Sequence, residues 1–189
     1  RAQLLFRLGD PDAELDSRRL EALGLQNAAD RVLLAGLRER AGDPSTALEE
    51  VDEALRENPE DSESWHLKAK LHHVRNEPGR ALSALDQLFS LDRQHGPSWA
   101  LQSKLLSNEP NRLEDALKAA IHAVALGEPE WILKADLLMQ LDRFEEAILS
   151  LQSVLDIDTD NGLVRAHLSL LHMLDAVSYT HLTLPTRRG

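Results

Sequence analysis

The chain contains no cysteine, which excludes disulfides, thiolate catalysis and Cys-ligated zinc or iron–sulfur sites. Aromatic residues make up only 4%. Basic side chains are the minority: 21 Lys and Arg face 32 Asp and Glu, a formal net charge of −11. A nucleic-acid binder normally carries a basic face that displaces counterions, so this balance argues against one. No apolar run approaches the roughly 20 residues that span a bilayer, so no membrane insertion is expected. What is present is 189 residues, 42% of them hydrophobic. That is enough for a core, and it suits one compact domain or a short repeat array.

The chain repeats itself. Trp65, Trp99 and Trp131 are spaced by 34 and then 32 residues, and each opens a similar run. Ala81-Leu82 and Ala147-Ile148 follow their tryptophans by sixteen residues, and Ala116-Leu117 follows Trp99 by seventeen, one inserted residue in a turn. Seven of the eight prolines fall between apolar-periodic segments. Proline lacks the N–H and clashes with the preceding turn, so these are helix boundaries. Between the breakers, apolar residues recur every three or four positions, as Leu48, Val51 and Leu55 do. The spacing predicts helices over 2–8, 12–23, 27–41, 45–57, 61–75, 79–91, 95–107, 112–126, 128–141, 144–156 and 161–175. Asp61, Ser62 and Asp160 suit N-caps. Gly42 and Gly127 suit left-handed C-terminal positions.

These slots resemble the tetratricopeptide repeat, a helix–turn–helix unit. The family wants a large residue early in the first helix, a small one four later, and Ala-Leu opening the second. Residues 62–95 supply Trp65, Ala69, Ala81 and Leu85. Residues 28–61 supply Ala35, Ala47, Val51, Ala54 and Pro59. Residues 128–161 supply Trp131, Ala135, Phe144, Ala147 and Leu151. Residues 96–127 supply Trp99, Ser103, Ala116, Ala120 and Ala123. Leu88 and Val154 depart from the small late slot, and Arg93 and Thr159 from the exit proline. Segment 1–27 reads as a degenerate repeat, with Arg18 and Arg19 near core slots. Segment 162–176 reads as the first helix of a fifth repeat. The resemblance implies an all-α, right-handed superhelical solenoid of antiparallel helical hairpins, and places each Trp in the packing between hairpins.

From Val177 the composition shifts to hydroxyl and β-branched residues. Val177–Thr186 resembles a translated transposase sequencing adaptor at all ten positions. Residues 177–189 are therefore expected to be a non-native tail, leaving 19 basic and 32 acidic side chains before it. Both ends are expected to be cuts in a longer protein, and a signal sequence could have gone with the missing start. A cytoplasmic location is the default expectation.

Catalysis needs an acid, base or nucleophile held by a second group. The histidines make no such set. His72 and His73 point about 100° apart on a helix, and His66 and His73 lie two turns apart. There is no HExxH, phosphate loop or calcium loop. No catalytic residue, cofactor or metal site is expected. Lys68 and Lys134 read as packed stems with solvated ammonium groups. Acidic Glu49, Glu50, Asp52 and Glu53 read as a solvated face.

In tetratricopeptide proteins the concave groove, lined by first helices, binds a peptide. Helical phase places Glu39 and Arg40, then His66, Lys70 and His73, then Lys104, Ser107 and Asn108, then Asp136, Met139 and Gln140 toward it. Lys70 and Lys104 share one slot in successive repeats. They are either ordinary solvated residues or a grip on a ligand carboxylate. The chaperone-tail clamp of the family is absent, since Val32, Gly36 and Leu67 stand at its slots. The expected function is a non-catalytic scaffold binding a protein or peptide segment. The alternative is a regulatory or substrate-presenting arm of an enzyme whose catalytic domain lies elsewhere. Ligand identity and oligomeric state are not encoded legibly.

Overall fold

A computed structural model describes residues 11–24 and 27–183, apart from the side chains of residues 11, 157 and 174–183. Ten α-helices account for most of it: α1 Pro11–Leu23, α2 Ala28–Arg40, α3 Pro44–Glu57, α4 Ser62–Val74, α5 Pro78–Leu91, α6 Gly96–Leu106, α7 Leu113–Ala125, α8 Trp131–Gln140, α9 Phe144–Ile157 and α10 Gly162–Thr183. No strand occurs among the described residues. The fold class is the all-α helical repeat. Consecutive helices pack as antiparallel hairpins, α2 with α3, α4 with α5, α6 with α7, and α8 with α9. The chain divides into two compact units, residues 1–95 and 96–189.

In the first unit, Ala35, Ala47, Leu48, Val51, Leu55, Leu67 and Leu71 form one buried cluster, with Val32 and Trp65 packed against it. Alanine at 35, 47 and 69 is fully buried. With no side chain beyond Cβ, these residues let helix backbones approach closely, and the leucines fill the space that remains. Trp65 is half-buried, and its indole N–H donates to the Pro59 carbonyl at 2.9 Å. Arg18 and Arg19 stay exposed and pair with Glu14 and Asp16 on their own helix. Ala13 and Ser17 are the buried residues of α1 instead.

In the second unit, Leu117, Leu137, Leu138, Leu151 and Leu171 are among the largest buried side chains. Ser103 takes the small slot that alanine holds at 35, 69 and 135. It is buried, and its hydroxyl donates to the Ala116 carbonyl at 2.9 Å. The residue inserted after Trp99 is absorbed in a 3₁₀ turn over Pro110–Arg112.

The turns follow backbone chemistry. Gly42 and Gly127 adopt φ of +84° and +94°. Asn76 and Asp142 adopt φ of +59° where their hairpins turn, as Gly42 does in the first. Asn and Asp are the side chains that tolerate this region best. Asp61 caps α4 by accepting from the Ser64 N–H at 2.9 Å. Ser62 is the first helical residue, not the cap. Asn161 rather than Asp160 caps α10, accepting from Val164 N–H at 3.1 Å.

Two helices differ from the sequence expectation. α8 starts at Trp131, three residues later than the spacing predicts, because Pro129 and a Glu128 N–H bonded back to Ala123 hold the preceding turn. α10 continues through Val177–Thr183, where the composition had suggested a break. The expected helix 2–8 lies outside the described residues. The spacing of Leu168, Leu171 and Leu174 predicts an unpaired, exposed apolar side on the last helix, and the first two depart from it. Leu171 is fully buried and Leu168 half-buried. The side chain of Leu174 lies outside the described residues.

Candidate functional site

In the first unit, α2 and α4 lie side by side and leave a trough of about 510 Å³. Every lining residue belongs to one of these two first helices, among them Gly36, Glu39, Arg40, Glu63, His66 and Lys70. Helix phase produces this wall. Positions 63, 66 and 70 recur every three or four residues and share one face of α4, while Leu67 and Leu71 turn into the core.

The trough is already a charge network. The Lys70 ammonium lies 3.0 Å from Glu39. The His66 ring packs against His95 at a tilt of 48° with centroids 4.7 Å apart, and His95 Nε2 is 3.3 Å from Glu63. His66 is half-buried. Burial first, then the charges of His95 and Lys70, pull its pKa from 6.5 down to about 4, so it is neutral at pH 7. His73 is exposed on α4 and does not line the trough. Arg40 lies at its edge, exposed at the end of α2.

The other flank of α4 is structural. Lys68 reaches Asp52 at 2.7 Å and lies 5.2 Å from the Trp65 ring centroid. The ammonium therefore ends on a carboxylate and an aromatic face rather than simply in water. His72 is buried, with Nδ1 at 2.7 Å from Glu77. That hydrogen bond, with Arg75 and Arg80 nearby, holds the Glu77 carboxyl below its ordinary range. A cavity of about 410 Å³ opens here between α3, α4 and α5.

Arg31 stands 34 residues before Trp65, at the slot tryptophan fills in three later hairpins. It bonds Glu50 and Glu57 at 3.0 Å each. Arg38 also bonds Glu50 at 3.0 Å and reaches Glu21 of α1. An ion cluster replaces the aromatic wedge in this hairpin. Glu50, expected on a solvated face, is its centre.

In the second unit, Lys104 is held by Glu130 at 2.7 Å. Asn108 donates from Nδ2 to the Lys104 carbonyl at 3.0 Å, closing the end of α6. Gln140 is exposed at the end of α8. Asp136 is half-buried on α8. Burial raises its carboxyl pKa, partly opposed by His167 of α10. Arg40, His66 and Lys70 are therefore brought together in one trough, and Lys104 and Asn108 join at one helix end. Sequence reasoning missed Glu63 and Glu130 as partners, because their roles depend on contacts between hairpins. It also missed the groove slots of α10. Counting them from Arg165, as they are counted from Trp65, finds them. No group of three or more metal-ligating side chains occurs among the described residues. No described helix is long and apolar enough to cross a membrane.

The tetratricopeptide repeat family matches residues 28–71 and again 131–161. No curated protein matches the chain. Several solved structures do. TTC0263, a thermophilic TPR protein of Thermus thermophilus, is 16% identical with a TM-score of 0.63, over 83% of this chain and 87% of that one. MamA 41-end from Desulfovibrio magneticus RS-1 is 19% identical with a TM-score of 0.69, over 81% and 88%. YrrB, described as a TPR protein with an unusual peptide-binding site, is 14% identical with a TM-score of 0.68, over 85% and 84%. At these identities the likeness shows the fold. With two matched stretches, buried alanines at the small slots and four antiparallel helical hairpins among the described residues, the chain carries tetratricopeptide repeats.

Proposed function

We propose that the chain is a non-catalytic scaffold that holds a polypeptide segment against the first helices of the hairpins within a unit, as α2 and α4 stand in the first. One observation carries the reading: the trough of about 510 Å³ is lined by α2 and α4 alone. It offers carboxylate, ammonium and imidazole groups beside the apolar Leu33 and Leu37, the mixture an extended or helical segment needs. The ammonium groups of Lys70 and Lys104 already have carboxylate partners in Glu39 and Glu130. A ligand carboxylate would have to displace these, so the paired-lysine grip is not the basis of this reading.

The absence of cysteine makes the test simple, because one introduced thiol is unique. A dye is placed at Arg40→Cys, at the trough edge, or at Gln87→Cys, on a second helix. Peptides selected from a random twelve-residue library are then added. A change at position 40 with none at position 87 supports the proposal. The reverse pattern, or no selectable peptide, overturns it.

A further inference from the structure

The groove slots change character in the second unit. In α4 they hold Glu63, His66, Lys70 and His73. One hundred residues on, the same slots of α10 hold Leu163, Ala166, Leu170 and Met173. Leu163 is 59% exposed, Leu170 50% and Met173 67%. Val164 and Leu171 bury the edge of α10 that packs on α9. At about 100° per residue, the exposed stripe is centred roughly 130° round the helix from that edge.

The stripe is not the flank that a following helix covers. In α4 that flank carries the buried Ala69 and His72, the latter bonded to Glu77 just before α5. The matching positions of α10 are Ser169 and His172, both polar and exposed. Leu163 and Leu170 therefore stand where α4 presents its trough-lining Glu63 and Lys70, and Met173 lies one turn further along the same stripe.

The facing wall is α8. Its Ile132 and Leu163 of α10 line one cavity of about 380 Å³. Met139 lies further along the same face of α8. Between them sits Asp136, whose half-buried carboxyl is held above its ordinary range by burial. A half-buried carboxylate gains most from a cation brought to it in a water-poor contact. The surroundings favour such a partner, since residues 128–173 hold nine Asp and Glu against three Lys and Arg.

We propose that the trough between α8 and α10 takes a polypeptide segment whose apolar side chains lie on Leu163, Leu170 and Met173 and whose Lys or Arg reaches Asp136. This rests on the reading of the first-helix side as the binding side, and names the ligand class for its second unit. Methionine adapts its shape to varied partners, and an exposed aliphatic stripe at helix spacing suits an amphipathic helix.

The test selects a phage-displayed random twelve-residue library against the whole chain. Enriched peptides are expected to carry at least two apolar residues and one Lys or Arg. Their affinity is expected to fall tenfold or more for the Leu170→Gln, Met173→Gln double variant. Both residues are exposed, and circular dichroism checks that the variant folds. Asp136→Asn is expected to weaken a Lys peptide several-fold while leaving its norleucine analogue unchanged. Enrichment in Asp and Glu, or equal binding by chain and double variant, overturns this assignment. If those peptides still shift the dye at position 40, only the ligand class fails. If no peptide is enriched, both readings fail.

Discussion

The Lys70 ammonium sits 3.0 Å from the Glu39 carboxylate and ties the first helix of one hairpin to the first helix of the next. Lys70 remains 43% exposed and Glu39 19%. The pair holds two hairpins together, and under the proposed function it spans the trough that a ligand would enter.

Charge reversal tests this contact. Lys70→Glu places two carboxylates together and should lower stability by about 1 kcal/mol, the upper end for a partly exposed pair. Adding Glu39→Lys should restore most of the loss. Urea midpoints of the single and double variants check it, and independent, additive losses would show that the two residues are not coupled.

Glu50 carries more. It bridges Arg31 and Arg38, and its side chain is only 15% exposed. Glu50→Ala leaves two guanidinium groups facing each other without their common partner. A loss of about 2–3 kcal/mol is expected, below the range for a fully buried pair because Arg31 and Arg38 keep some solvent. Chemical denaturation reads it. A change under about 0.5 kcal/mol, the size of an ordinary surface substitution, would contradict the assignment.

How much of this was legible in the sequence varies by residue. The Trp spacing and the alanines at 35, 47, 69, 81 and 135 marked the hairpins, because close packing leaves room only for a small residue at those slots. Gly42 was readable as a left-handed turn. Asn76 and Asp142 were not singled out, since both residue types also sit in ordinary turns. The helical phase that brings Glu39, Arg40, His66 and Lys70 to one trough was legible, His73 falls outside that trough, and the partners were not legible. Whether Lys70 meets a ligand or Glu39 depends on the spacing between two hairpins, and no local pattern encodes that. Arg31 in a tryptophan slot reads as a mismatch until Glu50 and Glu57 are seen beside it.

His66 should make the first unit sensitive to acid. Its folded pKa is lowered to about 4 from 6.5. Between those values the unfolded chain binds the proton and the folded chain does not, so stability falls as pH drops from 6.5 toward 4. The full shift corresponds to about 3 kcal/mol, and partial solvent access reduces this to about 1–2 kcal/mol. Its facing groups are His95, Lys70 and the Glu63 and Glu39 carboxylates. His66→Gln should lose less stability than the parent between about pH 7.5 and about pH 5 in urea titrations. Equal losses would show that His66 does not drive the dependence.

The hairpin turns predict opposite signs for two substitutions. Gly42→Ala forces a side chain into φ +84° and should destabilise by about 1 kcal/mol. Asn76→Gly relieves the same constraint at φ +59° and should be neutral or stabilising by a few tenths of a kcal/mol. Thermal melts compare the two. Destabilisation of about 1 kcal/mol by Asn76→Gly would mean that its side chain, not its backbone, holds the turn.

Amide hydrogen exchange, with and without a library-selected peptide, decides whether the first helices form the binding side. Within whichever unit holds the peptide, added protection is expected on the first helices, α2 and α4 in the first unit or α6, α8 and α10 in the second, with α3, α5, α7 and α9 unchanged. Protection confined to α3, α5, α7 and α9 would contradict that assignment.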